Sequence, residues 1–168
     1  MQSLLLKQTV ESNSLNARIF VHDIALSDSP GMQTFYVHPK RDMCKDGLRD
    51  TGRGEKTVAI EVHAVRLDDW WRERGEPHAH AVKIDTEGAE LLILRGGREF
   101  FEKIRPIVYL EIEPRNLAAY PYVADDIISF LNAAGYSITT LAGQPVRKSN
   151  LNELLARNDT FRAAPQKK

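Results

Sequence analysis

An α/β fold is predicted for this 168-residue chain, and three observations predict it. Short apolar runs at Ala81–Ile84, Pro106–Ile112 and Tyr136–Leu141 have the length and composition of buried strands. Between them lie segments with helical spacing, and Gly96-Gly97 and Gly135 punctuate the ends of those segments. Strand, helix, strand, helix, strand implies parallel neighbours joined by helical crossovers, here in a mixed sheet with a hairpin-like insertion in the first half.

Leu4, Leu5, Leu6 and Val10 recur at near-helical spacing, and Asn13-Ser14 stops the pattern, so a helix is expected from about Gln2 to Glu11. Arg18 to Ile24 alternates in the manner of a strand, Ser27 to Gly31 is turn chemistry, and Thr34 to Val37 is a second strand. His38 to Lys56 is polar and carries Gly47, Gly52 and Gly54, a long surface loop of the kind that covers substrate sites. Thr57 to Val65 alternates again, with Val58, Ile60 and Val62 on one side. Leu67-Asp68-Asp69-Trp70-Trp71 opens a short helix with Asp68 placed to cap it, and only one of the two adjacent tryptophans can face the core. Helices over Ala89–Leu94, Arg98–Ile104 and Asp125–Ala134 complete the main body, residues 1–145. Residues 146–168 hold a helix at Leu151–Arg157 and then polar residues expected to fray.

Lys and Arg number 23, Asp and Glu number 23, and no basic run forms, which argues against nucleic-acid or anionic-membrane partners. Cys44 is the only cysteine, so an internal disulfide is excluded and a reducing, cytoplasmic setting is expected. The apolar run Leu4-Leu5-Leu6 is too short for a membrane span.

Chemistry concentrates at Lys83-Ile84-Asp85-Thr86-Glu87-Gly88-Ala89-Glu90. Ligands in open α/β sheets bind beyond the carboxyl ends of strands, where Asp85 falls. Glu87 is expected in the first turn of the following helix, where the dipole favours a carboxylate, and Gly88 allows close backbone approach. Thr86 and Glu90 stand near capping-box spacing. Glu111 and Glu113 end the next strand on one face, so these acids could meet over one cleft. Against these readings stand ordinary ones: Asp85 as a helix cap, Glu87 and Glu90 as dipole-favoured residues, Glu111 and Glu113 as solvated rim charges. His78-x-His80 has metal-ligand spacing, but Pro77 and a loop composition surround it and no third ligand follows, so no metal site is expected. Cys44 has no histidine partner that would make it a nucleophile.

Val82 to Glu90, followed by Leu94-Arg95-Gly96, resembles the signature of FkbM-type methyltransferases. So do the Arg105-Pro106 turn into Ile107–Glu113, the stretch Val21 to Asp28 with Gly31, and Val65 to Asp69. The resemblance implies a Rossmann-like class I methyltransferase fold and transfer of a methyl group from S-adenosylmethionine, with O-methylation of a hydroxyl-bearing small molecule or sugar. It places Asp23, Ile24 and Ala25 beside the adenine and Asp85 near donor and acceptor, with Glu87 close by and Asp85 or Glu111 as general base. It also implies a first strand with a Gly-rich turn and a second strand ending in a ribose-binding acid. Nothing before Leu4 matches either, and Gly52-x-Gly54 and Gly96-Gly97 do not follow a strand into a helix. The fold is therefore expected to be incomplete at its N-terminus, with the first two strands absent, as in a truncated, split or remnant enzyme. Activity of this chain alone is not implied. Its open edges would be met by a homodimer or by a missing N-terminal segment. Two other functions compete: a non-catalytic domain of the same fold that binds a partner, and a metal-dependent hydrolase using Asp85 and Glu87.

Overall fold

The computed structural model describes residues 2–38, 45–52 and 56–166; the expectations for Cys44 and Gly54 lie outside them. The chain opens with helix α1 (Gln2–Ser12) and strands β1 (Ala25–Leu26), β2 (Gly31–Val37) and β3 (Val58–Val65). Helix α2 (Leu67–Glu73), strand β4 (Ala81–Ile84) and helices α3 (Glu90–Gly96) and α4 (Arg98–Ile104) follow. The rest is β5 (Ile107–Glu111), α5 (Pro114–Leu117), α6 (Ala124–Ala133), β6 (Tyr136–Thr140), α7 (Leu151–Leu155) and β7 (Thr160–Pro165). These residues form two sheets, β1-β3-β2 and β4-β5-β7-β6. In the first, β1 runs parallel to β3 and β2 antiparallel; in the second, β4 and β5 are parallel and β7 is antiparallel to both its neighbours. The architecture is α/β with mixed sheets, as predicted.

The core gathers on the second sheet. Val108, Leu110 and Ile112 of the β5 segment are fully buried, as are Ile127 and Leu131 of α6 and Leu94 and Phe101 of α3 and α4. Burying such side chains contributes about 1.5–3 kcal/mol each, so much of the apolar burial that stabilises the fold lies on this sheet and its helices. Arg105, in a left-handed conformation at the end of α4, ties three ends together. Its guanidinium donates to the carbonyl oxygens of Ala134, Gly135 and Gln166 at 3.5, 3.2 and 3.1 Å.

Several expectations are corrected. Arg18–Ile24 forms no strand, and pairing begins only at Ala25. Alternation there does not find a partner, since β3 offers β1 only Ala64 and Val65. Strand β2 begins at Gly31, earlier than Thr34, because Gly31 adopts φ of 118° and the pairing with Ala64 starts on it. Asp68 does not cap its own helix, whose N-cap is Arg66. Instead its buried carboxylate accepts from the backbone N–H groups of Glu99 and Phe100, at 3.2 and 2.9 Å, and so caps α4. The segment after α7 does not fray. Phe161 and Ala163 are fully buried and β7 inserts between β5 and β6, so Thr160–Pro165 belongs to the main sheet. The polar flanks of that short strand hid it. Of the two tryptophans, Trp71 is the buried one and donates from Nε1 to the Pro77 carbonyl at 3.0 Å. No helix among the described residues is long and apolar enough to cross a membrane.

Gly96 explains how α3 meets the first sheet. A Cβ there would lie 2.2 Å from the Ser27 carbonyl oxygen, just past β1. Gly96→Ala should therefore force α3 off this turn and cost about 1–3 kcal/mol or more, measured by chemical denaturation. An unchanged midpoint would contradict the close approach.

Candidate functional site

Strands β4 and β5 lie in register, Ile84 opposite Leu110, so the residues that follow them, Asp85 and Glu111, end the two strands side by side. Between Asp85 and α3 the chain makes a tight turn. Glu87 has φ of 55° and Gly88 φ of 103°, two successive left-handed residues. The buried carboxylate of Glu90 holds this turn closed. Its Oε1 accepts from Thr86 N (3.2 Å), Thr86 Oγ1 (3.1 Å) and Gly88 N (3.1 Å). Burial pushes the Glu90 carboxyl up from its ordinary pKa, partly offset by these hydrogen bonds. The turn is packed from behind by α5 and by the segment that leads from it to α6. The Tyr122 hydroxyl donates to the Gly88 carbonyl, and Asn116 Nδ2 donates to Glu87 Oε2 at 2.8 Å.

This geometry corrects the placement of Glu87. It precedes α3, which begins at Glu90, and the turn, not a helix dipole, fixes its carboxylate. Asp85 likewise caps no helix; Ala89 is the N-cap of α3. Glu113 departs from the expected cluster. It sits at the N-cap of α5, accepts from Arg115 N, and pairs with the Arg115 guanidinium at 3.0 Å. Asp85, Glu87 and Glu111 do come together, with one carboxylate oxygen of each within 4.8 Å of the others.

Three like charges at that spacing cannot ionise independently. Partial burial, the hydrogen bond to Asp85 and the negative charges of Asp85, Glu87 and Asp159 push Glu111 up to about 8. The Lys83 ammonium, 2.8 Å from Asp85 Oδ2, together with the hydrogen bond from Glu111, holds Asp85 below the usual carboxylate range. The pair thus keeps one ionised member and one that takes up a proton near neutrality.

Asp85 and Thr86 open on a cleft of about 1260 Å³ between the two sheets. One wall is β1, with Ala25 and Leu26; the other is β4, with Val82, Lys83 and Ile84. Among the described residues both are edge strands of their sheets, each without a sheet neighbour on its outer side. Asp23, Ile24 and Ala25, the residues expected around an adenine, line this same cleft. The Asp23 carboxylate is paired with Lys7 there, and that hydrogen bond lowers its pKa. Phe35, Ile60, Val62 and Trp70 make much of the remaining lining apolar.

Sequence reasoning missed two features of this region. His38 lines the cleft with its ring 3.1 Å from Asp46, whose same oxygen accepts from His38 N at 2.8 Å. The loop between them carries no pattern that would pair them. Asn116, only 2 % exposed, had no signal except its place two residues after a proline that starts a helix. His78 and His80 stack edge to face at 4.6 Å, and no acid or cysteine joins them in a ligand-spaced group among the described residues.

A Cβ on Gly88 would lie 2.6 Å from Tyr120 Cε2 and 3.0 Å from the Asn116 carbonyl oxygen, at a φ that disfavours it. Gly88→Ala should cost about 2 kcal/mol or more, read as a melting point at least roughly 4 °C lower. A melting point within error of the parent would contradict the packing of the turn.

Comparison with known proteins bears on this site. The family described as "Methyltransferase FkbM domain" matches residues 6–138. No curated protein matches the chain. Among solved structures, a methyltransferase FkbM from Methylobacillus flagellatus KT is similar in fold, with a TM-score of 0.51 at 15% identity. The likeness covers 96% of this chain and 32% of that one, so the present chain spans about a third of its relative's length. With most of its residues matched, the chain belongs to the FkbM methyltransferase family.

Proposed function

We propose that this chain acts in methyl transfer from S-adenosylmethionine to the hydroxyl oxygen of a small molecule or sugar, with the cleft between β1 and β4 as the meeting place. The observation that carries the reading is the shared cleft: Asp23, Ile24 and Ala25 line one side and Asp85 the other, in a family of methyltransferases. The adenine would rest among Ile24, Ala25 and the apolar wall, and the acceptor would face Asp85. S-adenosylmethionine supplies an electrophilic methyl group on a sulfonium. The acceptor oxygen forms the new O–CH₃ bond as the S–CH₃ bond breaks, and the electron pair stays on sulfur to give the neutral thioether. The hydroxyl proton would pass to the Asp85 carboxylate, the ionised member of the pair, beside a Glu111 that holds its own proton near neutrality.

The described residues offer no Gly-rich strand-to-helix turn for the methionine portion. We propose that strands added at the free edges of β1 and β4, from a second copy or another stretch of polypeptide, complete the cofactor wall. A small-molecule cofactor and acceptor in an intracellular, soluble setting are the partners this reading requires. The open edges also favour a second reading, a non-catalytic domain of the same fold that binds a partner strand.

Thermal melts with increasing S-adenosylmethionine separate the two. A ligand that binds only the native state raises its stability by about 2.7 kcal/mol at a hundredfold excess over the dissociation constant. We expect a saturable rise that Ala25→Trp, which fills the adenine wall, removes. An unshifted melt at every concentration would show that this chain does not hold the cofactor by itself and would favour the partner-binding domain.

A further inference from the structure

We infer that Asp85, Glu87 and Glu111 form, with Asn116, a binding site for one hard divalent cation of the magnesium, manganese or calcium type. The three carboxylates come from the end of β4, the left-handed turn after it and the end of β5, with one oxygen of each within 4.8 Å of the others. Two ligands on opposite sides of a cation at about 2.4 Å stand about 4.8 Å apart, so a side-chain shift of a few tenths of an ångström suffices to bring the three oxygens onto one cation. All the donors are oxygens, which select hard cations over zinc or copper.

The second observation comes from outside the acidic group. Asn116 is only 2 % exposed, and its amide faces the cluster: Nδ2 donates to Glu87 Oε2 at 2.8 Å. Its Oδ1, buried with it, has no hydrogen-bond partner. A buried amide oxygen without a donor is a cost that a cation removes, and a side-chain carbonyl is an ordinary ligand for these ions. Glu87, left-handed at φ of 55°, has its carboxylate beside Asn116 and the two strand-end acids.

Lys83 opposes the inference, because its ammonium pairs with Asp85. That lysine side chain is 71% exposed and leaves at small cost, as surface pairs do. A bound cation would hold Glu111 ionised, so the protonated Glu111 of the methyl-transfer reading belongs to the cation-free site. The cation site does not depend on that reading, because the donors all belong to this chain.

The test is a titration of the whole, chelator-stripped protein with Mn²⁺ alone, followed by electron paramagnetic resonance of the free ion, with no cofactor present. About one equivalent should bind, with a dissociation constant on the order of 10⁻⁴ M. Asp85→Asn and Glu87→Gln should each weaken it by roughly tenfold or more. Glu153→Gln, on the remote α7, should leave it unchanged. Saturation at one equivalent with both losses upholds the site. Absence of saturation up to about a hundredfold above that constant overturns it, as does binding that both variants leave intact. Should either variant fail to fold by circular dichroism, Glu111→Gln takes its place under the same criterion.

Discussion

The buried carboxylate of Glu90 is the interaction on which the site depends. It reaches back from the first residue of α3 and closes the turn on Thr86 and Gly88 through a single oxygen. Two successive left-handed residues, Glu87 and Gly88, would be strained in an open loop; here three hydrogen bonds and the packing of Tyr120 and Tyr122 oblige them. The energy of the fold is thus spent on a turn whose product is a direction: Asp85 toward the cleft, Glu87 toward Asn116 and the strand ends. A carboxylate is an expensive way to close a turn inside a protein. It is tolerated because three donors meet one of its oxygens, and burial pushes its proton affinity up.

Behind that turn stands the second sheet. Strand β7 enters between β5 and β6, so the last residues of the chain brace the strand that carries Glu111. Arg105 fastens the ends of α4, α6 and β7 to one another through three carbonyls. The first sheet is held differently, by the near contact of Gly96 with the Ser27 carbonyl and by Ala25, Leu26, Phe35 and Val62, which are only partly buried against the core. The sheet carrying the acids faces the sheet carrying Ala25 across an apolar cleft, with β4 and β1 as their edge strands among the described residues.

Much of this was legible in the sequence. The end of β4 and the acid beyond it were legible because an apolar run, an acid and a glycine follow one another as at a strand's carboxyl end, but the left-handed turn at Glu87 and Gly88 was read as the start of a helix. The family resemblance read from the same residues agrees with the match over residues 6–138. What could not be read is non-local. Asp68 looks like a cap and is one, but for a helix thirty residues away, because the packing of α2 on α4 decides which amides it meets. Strand β7 offers one phenylalanine and two alanines, too weak a pattern to outweigh its polar flanks, and only the slot between β5 and β6 makes it a strand. Asn116 and the His38–Asp46 pair owe their roles to neighbours distant or hidden in a loop. Local periodicity reports faces; it does not report which face meets which.

Hydrogen exchange of the Thr86 and Gly88 amides tests the central claim directly. If the Glu90 carboxylate holds the turn closed, both amides exchange nearly as slowly as core-strand amides such as that of Leu110, and in Glu90→Ala they exchange at open-loop rates while Leu110 stays protected. Rapid exchange of both amides in the parent protein would contradict the account, because the turn that aims Asp85 and Glu87 would then be loose.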